Sequence, residues 1–321
     1  MDKPKIIIAG IGAVGGYFGG LLANHFSKST RASVYFVARG ENLKQIRLQG
    51  LKVIKGQTEF IAMPELATDN PSEIGIADYI IISTKSYDLE TMINQLKPCI
   101  DKQTIILPLL NGVDSKEKIK GILPDNLVLD GCVYIVSRLT QPGIIENKGN
   151  LQKLYFGSET NESNGKLEML EKLMKEAGVE ATLSTNISSV IWEKFIFISP
   201  SASATSYFNE PFGVILSDPD KLNTMKLLIE EIKTIALAKN ITIAEDVTEK
   251  TLKIQRALPY ETTSSMHTDL LNDKPVTELE SLVGYVVREG RNYRLSIPTY
   301  ERVYKSLKER AGLKPSSSPK K

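Results

Sequence analysis

The chain has 321 residues, enough for two domains of ordinary size that each bury a core. Its 40 Lys and Arg against 38 Asp and Glu leave a formal balance of +2, so no large field draws nucleic acid or an anionic membrane, and small molecules are the expected partners. Only Cys99 and Cys132 occur, without a CxxC pair, and no apolar run approaches the roughly 18 residues that cross a bilayer. A disulfide framework and a membrane span are thereby excluded, and the cytoplasm is the expected location.

In chain order, Lys5 to Ala9 reads as a first strand, because Ile6 to Ala9 is too short for the apolar region of a signal peptide. Ser33 to Ala38, Tyr79 to Thr84 and Thr104 to Leu107 follow as further strands, separated by helix-like stretches. All four runs are apolar throughout rather than alternating, which predicts a parallel sheet covered by helices on both faces. From Leu127 to Gly157 the runs are rich in Val, Ile and Tyr. Thr140-Gln141-Pro142-Gly143 and Lys148-Gly149-Asn150 read as turns between them, so an antiparallel extension is expected to finish the first domain. Gly165 to Ala177 is helical, and helical periodicity recurs in Leu222 to Lys239, Val276 to Glu289 and Pro298 to Arg310, with no strand expected after about residue 186. Pro298 suits a helix start and Gly312 a helix end. The expected division is 1–183 for the α/β domain and 184–313 for an all-helical domain, with 314–321 a disordered tail.

Gly10-Ile11-Gly12-Ala13-Val14-Gly15 follows the first strand directly and opens a helix, the context that raises a GxGxxG match above chance. Gly10 allows the tight turn, Gly12 lets the backbone approach a pyrophosphate, and Gly15 lets the helix pack on the strand. The phosphates would then meet unpaired N–H groups at the positive end of the helix. This predicts a Rossmann-type dinucleotide-binding domain; an ordinary Gly-rich turn is the competing assignment.

The second strand ends in Arg39-Gly40 where NAD-preferring domains carry an acid for the ribose 2′-hydroxyl. A guanidinium there can pair with a 2′-phosphate, so NADPH/NADP+ is the expected cofactor, unless Arg39 stays in solvent and Glu41 takes the ribose. Two loops follow predicted strands where open α/β sheets bind ligands. Lys85 in the first could neutralise a cofactor phosphate, and Asn111 in the second offers donors and an acceptor to a nicotinamide or a carbonyl. A solvated charge and a simple Asn-Gly turn are the alternatives.

In the helical half, Lys194 borders the apolar run Phe195 to Ile198. A partly desolvated ammonium there can donate a proton, although a lysine so placed can equally snorkel into water. Glu278 opens a later helical stretch, a placement that the helix dipole alone would favour. His25 and His267 lack metal-ligand spacing and no GxSxG elbow occurs, so neither a metal site nor a serine hydrolase is expected.

Taken in order, the glycine loop, Arg39, the Lys85 and Asn111-Gly112 loops, Trp192-Glu193-Lys194, Ser264-Ser265-Met266 with Asp269, and Thr277-Glu278 resemble the ketopantoate (2-dehydropantoate) 2-reductase family. The resemblance covers nearly the whole chain, to about Gly312. It implies that Lys194 is the proton donor and Glu278 a glutamate directed to lysine and cofactor. It likewise implies that Asn111 belongs to the nicotinamide and substrate site, Ser265 contacts substrate, and Arg39 and Lys85 hold cofactor phosphate. The implied reaction is hydride transfer from NADPH to a 2-oxo acid, giving a 2-hydroxy acid; ketopantoate reduction in pantothenate and coenzyme A biosynthesis is the family's own case.

The sequence departs from the family at Ile198 and Ala202, four and eight residues after the lysine, where members carry substrate-binding Asn. Pro200 is expected to interrupt this helix and turn Ser199, Ser201 or Ser203 toward the site, with Asn209 a further amide. A different 2-oxo acid or an imine therefore competes as substrate, as does a non-catalytic NADPH-binding role. A homodimer is compatible with everything above.

Overall fold

The structure is a computed structural model that describes residues 3–159 and 165–312; the expected tail at 314–321 lies outside the described residues. The chain forms two compact units, the first comprising residues 3–110 and 114–190 with the gap noted, the second 111–113 and 191–312. The division thus falls a few residues beyond the expected 183, and Asn111 belongs with the helical half.

The first unit runs β1 (Lys5–Ala9), α1 (Ala13–Phe26), β2 (Ser33–Val37), α2 (Gly40–Gln49), β3 (Leu51–Lys55), β4 (Thr58–Ala62), β5 (Leu66–Thr68), β6 (Tyr79–Ile82), α3 (Leu89–Leu96), β7 (Ile105–Pro108), α4 (Ser115–Ile122), β8 (Asp130–Gln141), β9 (Ile144–Gly157), α5 (Lys166–Glu176) and β10 (Glu180–Leu183). One sheet has the order β5-β2-β1-β6-β7 with every pair parallel. Ile6 and Ile8 pack on one face with Phe18, Leu22 and Phe36, while Ile7 and Ala9 pack on the other with Ile80, Ile93 and Leu96. Burial on both faces is why these strands do not alternate, and each of the buried Ile, Leu and Phe side chains contributes about 1.5–3 kcal/mol of apolar burial.

The second sheet has the order β10-β9-β3-β4, with β8 on the other edge of β9. The antiparallel β3–β4 hairpin was not expected from the sequence. β8 and β9 form the expected antiparallel pair, turning at Pro142-Gly143 with Gly143 at φ +79°. Lys148-Gly149-Asn150, expected as a second turn, instead lies inside β9. Ser137 faces Asn147 and Ile135 faces Gln152, so the segment 148–151 stands opposite Val136 alone, as a bulge. The Asn147 side chain closes it by accepting from Gly149 N–H at 3.1 Å.

Helix α1 touches both sheets. A Cβ on Gly16 would sit 2.6 Å from Ile145 of the second sheet, and one on Gly19 would sit 3.0 Å from Ile8 of the first. Such close approach on two sides explains a helix with almost no polar face.

The second unit is helical: α6 (Ile187–Phe208) carries the chain into it, followed by α7 (Phe212–Ser217), α8 (Pro219–Ala238), α9 (Val247–Arg256), α10 (Ser265–Leu271), a π turn (Glu280–Gly284), α11 (Tyr285–Asn292) and α12 (Pro298–Gly312). Its core gathers Phe195, Ile196, Leu228, Ile229, Tyr285 and Tyr300. Asp218 caps α8 by accepting from Asp220 and Lys221 N–H. Glu231 on α8 accepts from Thr299 and Tyr300 N–H, both at 2.8 Å, and so ties down the first turn of α12.

Pro200 does not interrupt α6, which is helical on both sides of it. A single proline removes one N–H from the ladder, and the surrounding core holds the rest. The serines expected to turn toward a site are buried instead. Ser199 donates to Leu282 O at 2.6 Å and lies 2.7 Å from the Tyr300 hydroxyl. Ser201 donates to Phe197 O, and Ser203 is fully enclosed. Burial pushes the Tyr300 hydroxyl far above the ordinary phenol range. Among the described residues no helix is long and apolar enough to cross a membrane.

Candidate functional site

In the first unit the chain leaves β1 through Gly10, whose φ of +91° a residue with a side chain rarely adopts. Gly10 N–H donates to Val37 O at 3.0 Å and fixes the loop to the end of β2. Gly12 is the N-cap of α1 and makes no side-chain cap bond. The first helical bond runs from Gly16 N–H to Gly12 O at 2.8 Å, so the N–H groups of Ala13, Val14 and Gly15 have no helical acceptor ahead of them.

A Cβ on Gly12 would meet nothing within 4 Å, whereas one on Gly15 would lie 2.1 Å from Gly10 O. Open space over Gly12, donors beneath it and a tight helix behind it form a cradle that fits a dinucleotide pyrophosphate.

Two braces of this loop were not legible in the sequence. Asn42 Nδ2 donates to Ile11 O at 2.7 Å, while its Oδ1 accepts from Gly143 N–H at 2.7 Å. Ser137 donates to Ala13 O at 2.9 Å. One amide therefore ties the glycine loop to the β8–β9 turn, a link between distant segments that no local spacing announces.

Arg39 is exposed, and its Nη2 donates to Asp88 Oδ2 at 2.6 Å. Asp88 N–H in turn donates to Lys85 O at 3.0 Å within the short turn after β6, and Lys85 itself is half-buried. The expected phosphate residue Arg39 thus adjoins the turn that carries Lys85. Glu41, the alternative ribose ligand, is engaged on its own helix: hydrogen bonds from Gln45 and then Lys44 hold its carboxyl below the ordinary carboxylate range.

In the second unit, Gly112 at φ +101° bends the short segment 111–113, and Val113 packs against the helical core. Lys194 Nζ donates to Asn111 Oδ1 at 3.0 Å, so two expected site residues meet. Lys194 is half-buried, and its neighbours along α6, Trp192 and Phe195, are buried with their rings edge-to-face, centroids 5.7 Å apart.

Ser265 is the exposed first residue of α10, capped by Ser264, which accepts from His267 N–H. Thr205 and Ser264 hydroxyls lie 2.7 Å apart, and His267 Nε2 lies 3.0 Å from Asn209 Oδ1. The end of α6 and the start of α10 are therefore laced together beside Ser265. Asn209, proposed from the sequence as a spare amide, belongs to this lacing. Burial lowers the pKa of His267.

Glu278 is 4 % exposed, and its carbonyl accepts from Leu282 N–H at 3.0 Å. The helical stretch expected over 276–289 starts only at residue 279, is π-helical over Glu280–Gly284 and runs directly on into α11. Ala202 is buried and Ile198 packs half-buried against the same apolar core, so neither position offers a polar group.

A parallel sheet with a glycine cradle, joined to a helical unit that pairs an ammonium with an amide, defines the class: a dinucleotide-dependent oxidoreductase fold. The family model described as "Ketopantoate reductase PanE/ApbA" matches residues 6–161, and its C-terminal counterpart matches residues 186–311. The chain therefore belongs to the ketopantoate reductase family of oxidoreductases.

It is 29% identical over 303 residues to the uncharacterized oxidoreductase YkpB of Bacillus subtilis (strain 168), covering 94% of this chain and 97% of that one. With the 2-dehydropantoate 2-reductase of Halobacterium salinarum it shares 25% identity over 295 residues, covering 92% and 94% respectively. The crystal structure of 2-dehydropantoate 2-reductase from Porphyromonas gingivalis W83 superposes with a TM-score of 0.84 at 37% identity, covering 95% of this chain and 99% of that one.

Proposed function

We propose that the chain is an NADPH-dependent reductase of 2-oxo acids, with 2-dehydropantoate the first substrate to test. The observation that carries this reading is the 3.0 Å bond from Lys194 Nζ to Asn111 Oδ1. It holds a half-buried ammonium in one orientation.

The dinucleotide supplies a hydride when bound. The glycine loop binds its pyrophosphate, and Arg39 with Lys85 neutralises a 2′-phosphate. Asn111 orients Lys194 through its amide oxygen and keeps the ammonium directed. Lys194 holds a proton that it can donate to a carbonyl oxygen as negative charge develops there, which stabilises that charge and completes the hydroxyl group. Ser265 at the exposed start of α10 and the buried Glu278 complete the set of site residues, the first for substrate and the second for Lys194 and cofactor.

Ile198 and Ala202 favour a substrate with an apolar group where a hydroxyl would otherwise be recognised, because a site lacking a polar partner discriminates poorly for a hydroxyl. The reading is tested by a panel of 2-oxo acids, with and without a hydroxyl beyond the oxo group, scored by loss of NADPH absorbance. The expected result is turnover of at least one member, with kcat/KM for branched apolar acids equal to or above that for 2-dehydropantoate. No turnover of any member by protein that binds NADPH would leave a binding role only. Turnover confined to 2-dehydropantoate would refute the apolar preference.

A further inference from the structure

The pair formed by Arg39 and Asp88 carries more than a surface contact. NAD-preferring sites place a carboxylate at the end of the second strand, and this chain has Arg39 there. The structure nonetheless brings a carboxylate to the same place from another loop, since Asp88 Oδ2 accepts from Arg39 Nη2 at 2.6 Å. Asp88 stands at the N-cap of α3, where an aspartate ordinarily accepts from the next turn's N–H groups; here its side chain makes no cap bond. Its backbone is fixed by donation to Lys85 O, so the carboxylate sits on the same turn as the second expected phosphate cation.

Resting on the reading of Arg39 as the 2′-phosphate residue, we propose that Asp88 sets the cofactor preference. Its carboxylate competes with a 2′-phosphate for the Arg39 guanidinium and offers a ribose 2′-hydroxyl an acceptor, so NADPH and NADH are bound less unequally than Arg39 alone would dictate. A phosphate arriving at Arg39 must displace this bond or share the guanidinium with a second anion nearby, and like charges at such spacing repel. A cofactor without the phosphate meets no such penalty.

The test is equilibrium binding of NADPH and NADH, measured by calorimetry, to wild type, Asp88→Asn and Arg39→Ala. Asn can occupy the N-cap of α3 and removes only the charge, and an unchanged melting temperature verifies the fold. The ratio of Kd for NADH to Kd for NADPH is expected to rise about fivefold in Asp88→Asn, the scale of one partly exposed ion pair. An unchanged or lowered ratio overturns the proposal, a lowered one showing that Asp88 instead orients the guanidinium for phosphate. Arg39→Ala separates the two failures. If it leaves the wild-type ratio unmoved, the reading of Arg39 fails and takes this proposal with it; if it collapses the ratio while Asp88→Asn does not move it, the Asp88 inference falls alone. Failure of wild type to bind either dinucleotide overturns both.

Discussion

Replacing Gly12 by Ala places a methyl group in the space where a pyrophosphate would lie. The backbone at Gly12, with φ −95° and ψ −155°, accepts a Cβ without left-handed strain, and nothing stands within 4 Å of it. The fold should lose no more than about 1 kcal/mol, the cost of Ala at an N-cap. A ligand phosphate, in contrast, loses its approach to the first N–H groups of α1. Each charge-assisted bond forgone is worth about 1.5–3 kcal/mol, so Kd for NADPH should rise roughly 10- to 100-fold.

Gly15→Ala acts on the other link. Its Cβ would lie 2.1 Å from Gly10 O and 3.0 Å from Ser83 Cβ, so α1 must retreat from β1. Overpacking of this kind costs about 1–3 kcal/mol, which lowers the melting temperature by several degrees. Binding is followed by titration of NADPH fluorescence and stability by thermal melting in circular dichroism. Unchanged binding in Gly12→Ala would refute the cradle, and unchanged melting in Gly15→Ala would refute the close packing behind it.

Asn42→Ala removes the acceptor of Gly143 N–H and the donor to Ile11 O together. We expect a loss of about 2 kcal/mol in denaturant unfolding and weaker NADPH binding, whereas stability lost with binding intact would reduce Asn42 to a structural tie. His267 yields a pH dependence. Because burial lowers its pKa in the fold, the unfolded chain takes up a proton first as pH falls through the ordinary imidazole value near 6.5, and stability is lost from there downward. His267→Gln should flatten the change in urea midpoint between pH 7.5 and 5.5; an unchanged slope would show that other groups carry it.

The parallel sheet was legible because β1, β2, β6 and β7 are buried on both faces and so read as unbroken apolar runs. The β3–β4 hairpin was not, since Thr58–Ala62 is largely exposed and its pattern is weak. Lys148-Gly149-Asn150 has turn composition, but the chain accommodates it as a bulge because the flanking residues of β9 keep their partners on β8. Pro200 misled for a similar reason: tertiary packing around Ser199 and Tyr300 outweighs one missing hydrogen bond.

Of the candidate site residues, the glycine loop, Arg39 and Lys194 are singled out in the sequence by position, after a strand or beside an apolar run. Asn42, Ser137 and Asp88 did not, because each acts through a partner tens of residues away, and such pairings exist only once the chain has folded.

The role assigned to Lys194 is tested most directly by single-turnover reduction of the best 2-oxo acid by Lys194→Ala alongside wild type, with NADPH affinity measured on the same samples. Loss of a positioned general acid should slow hydride transfer about 10²- to 10⁴-fold while NADPH still binds normally. A variant that reduces the oxo acid at the wild-type rate would show that some other group protonates the oxygen.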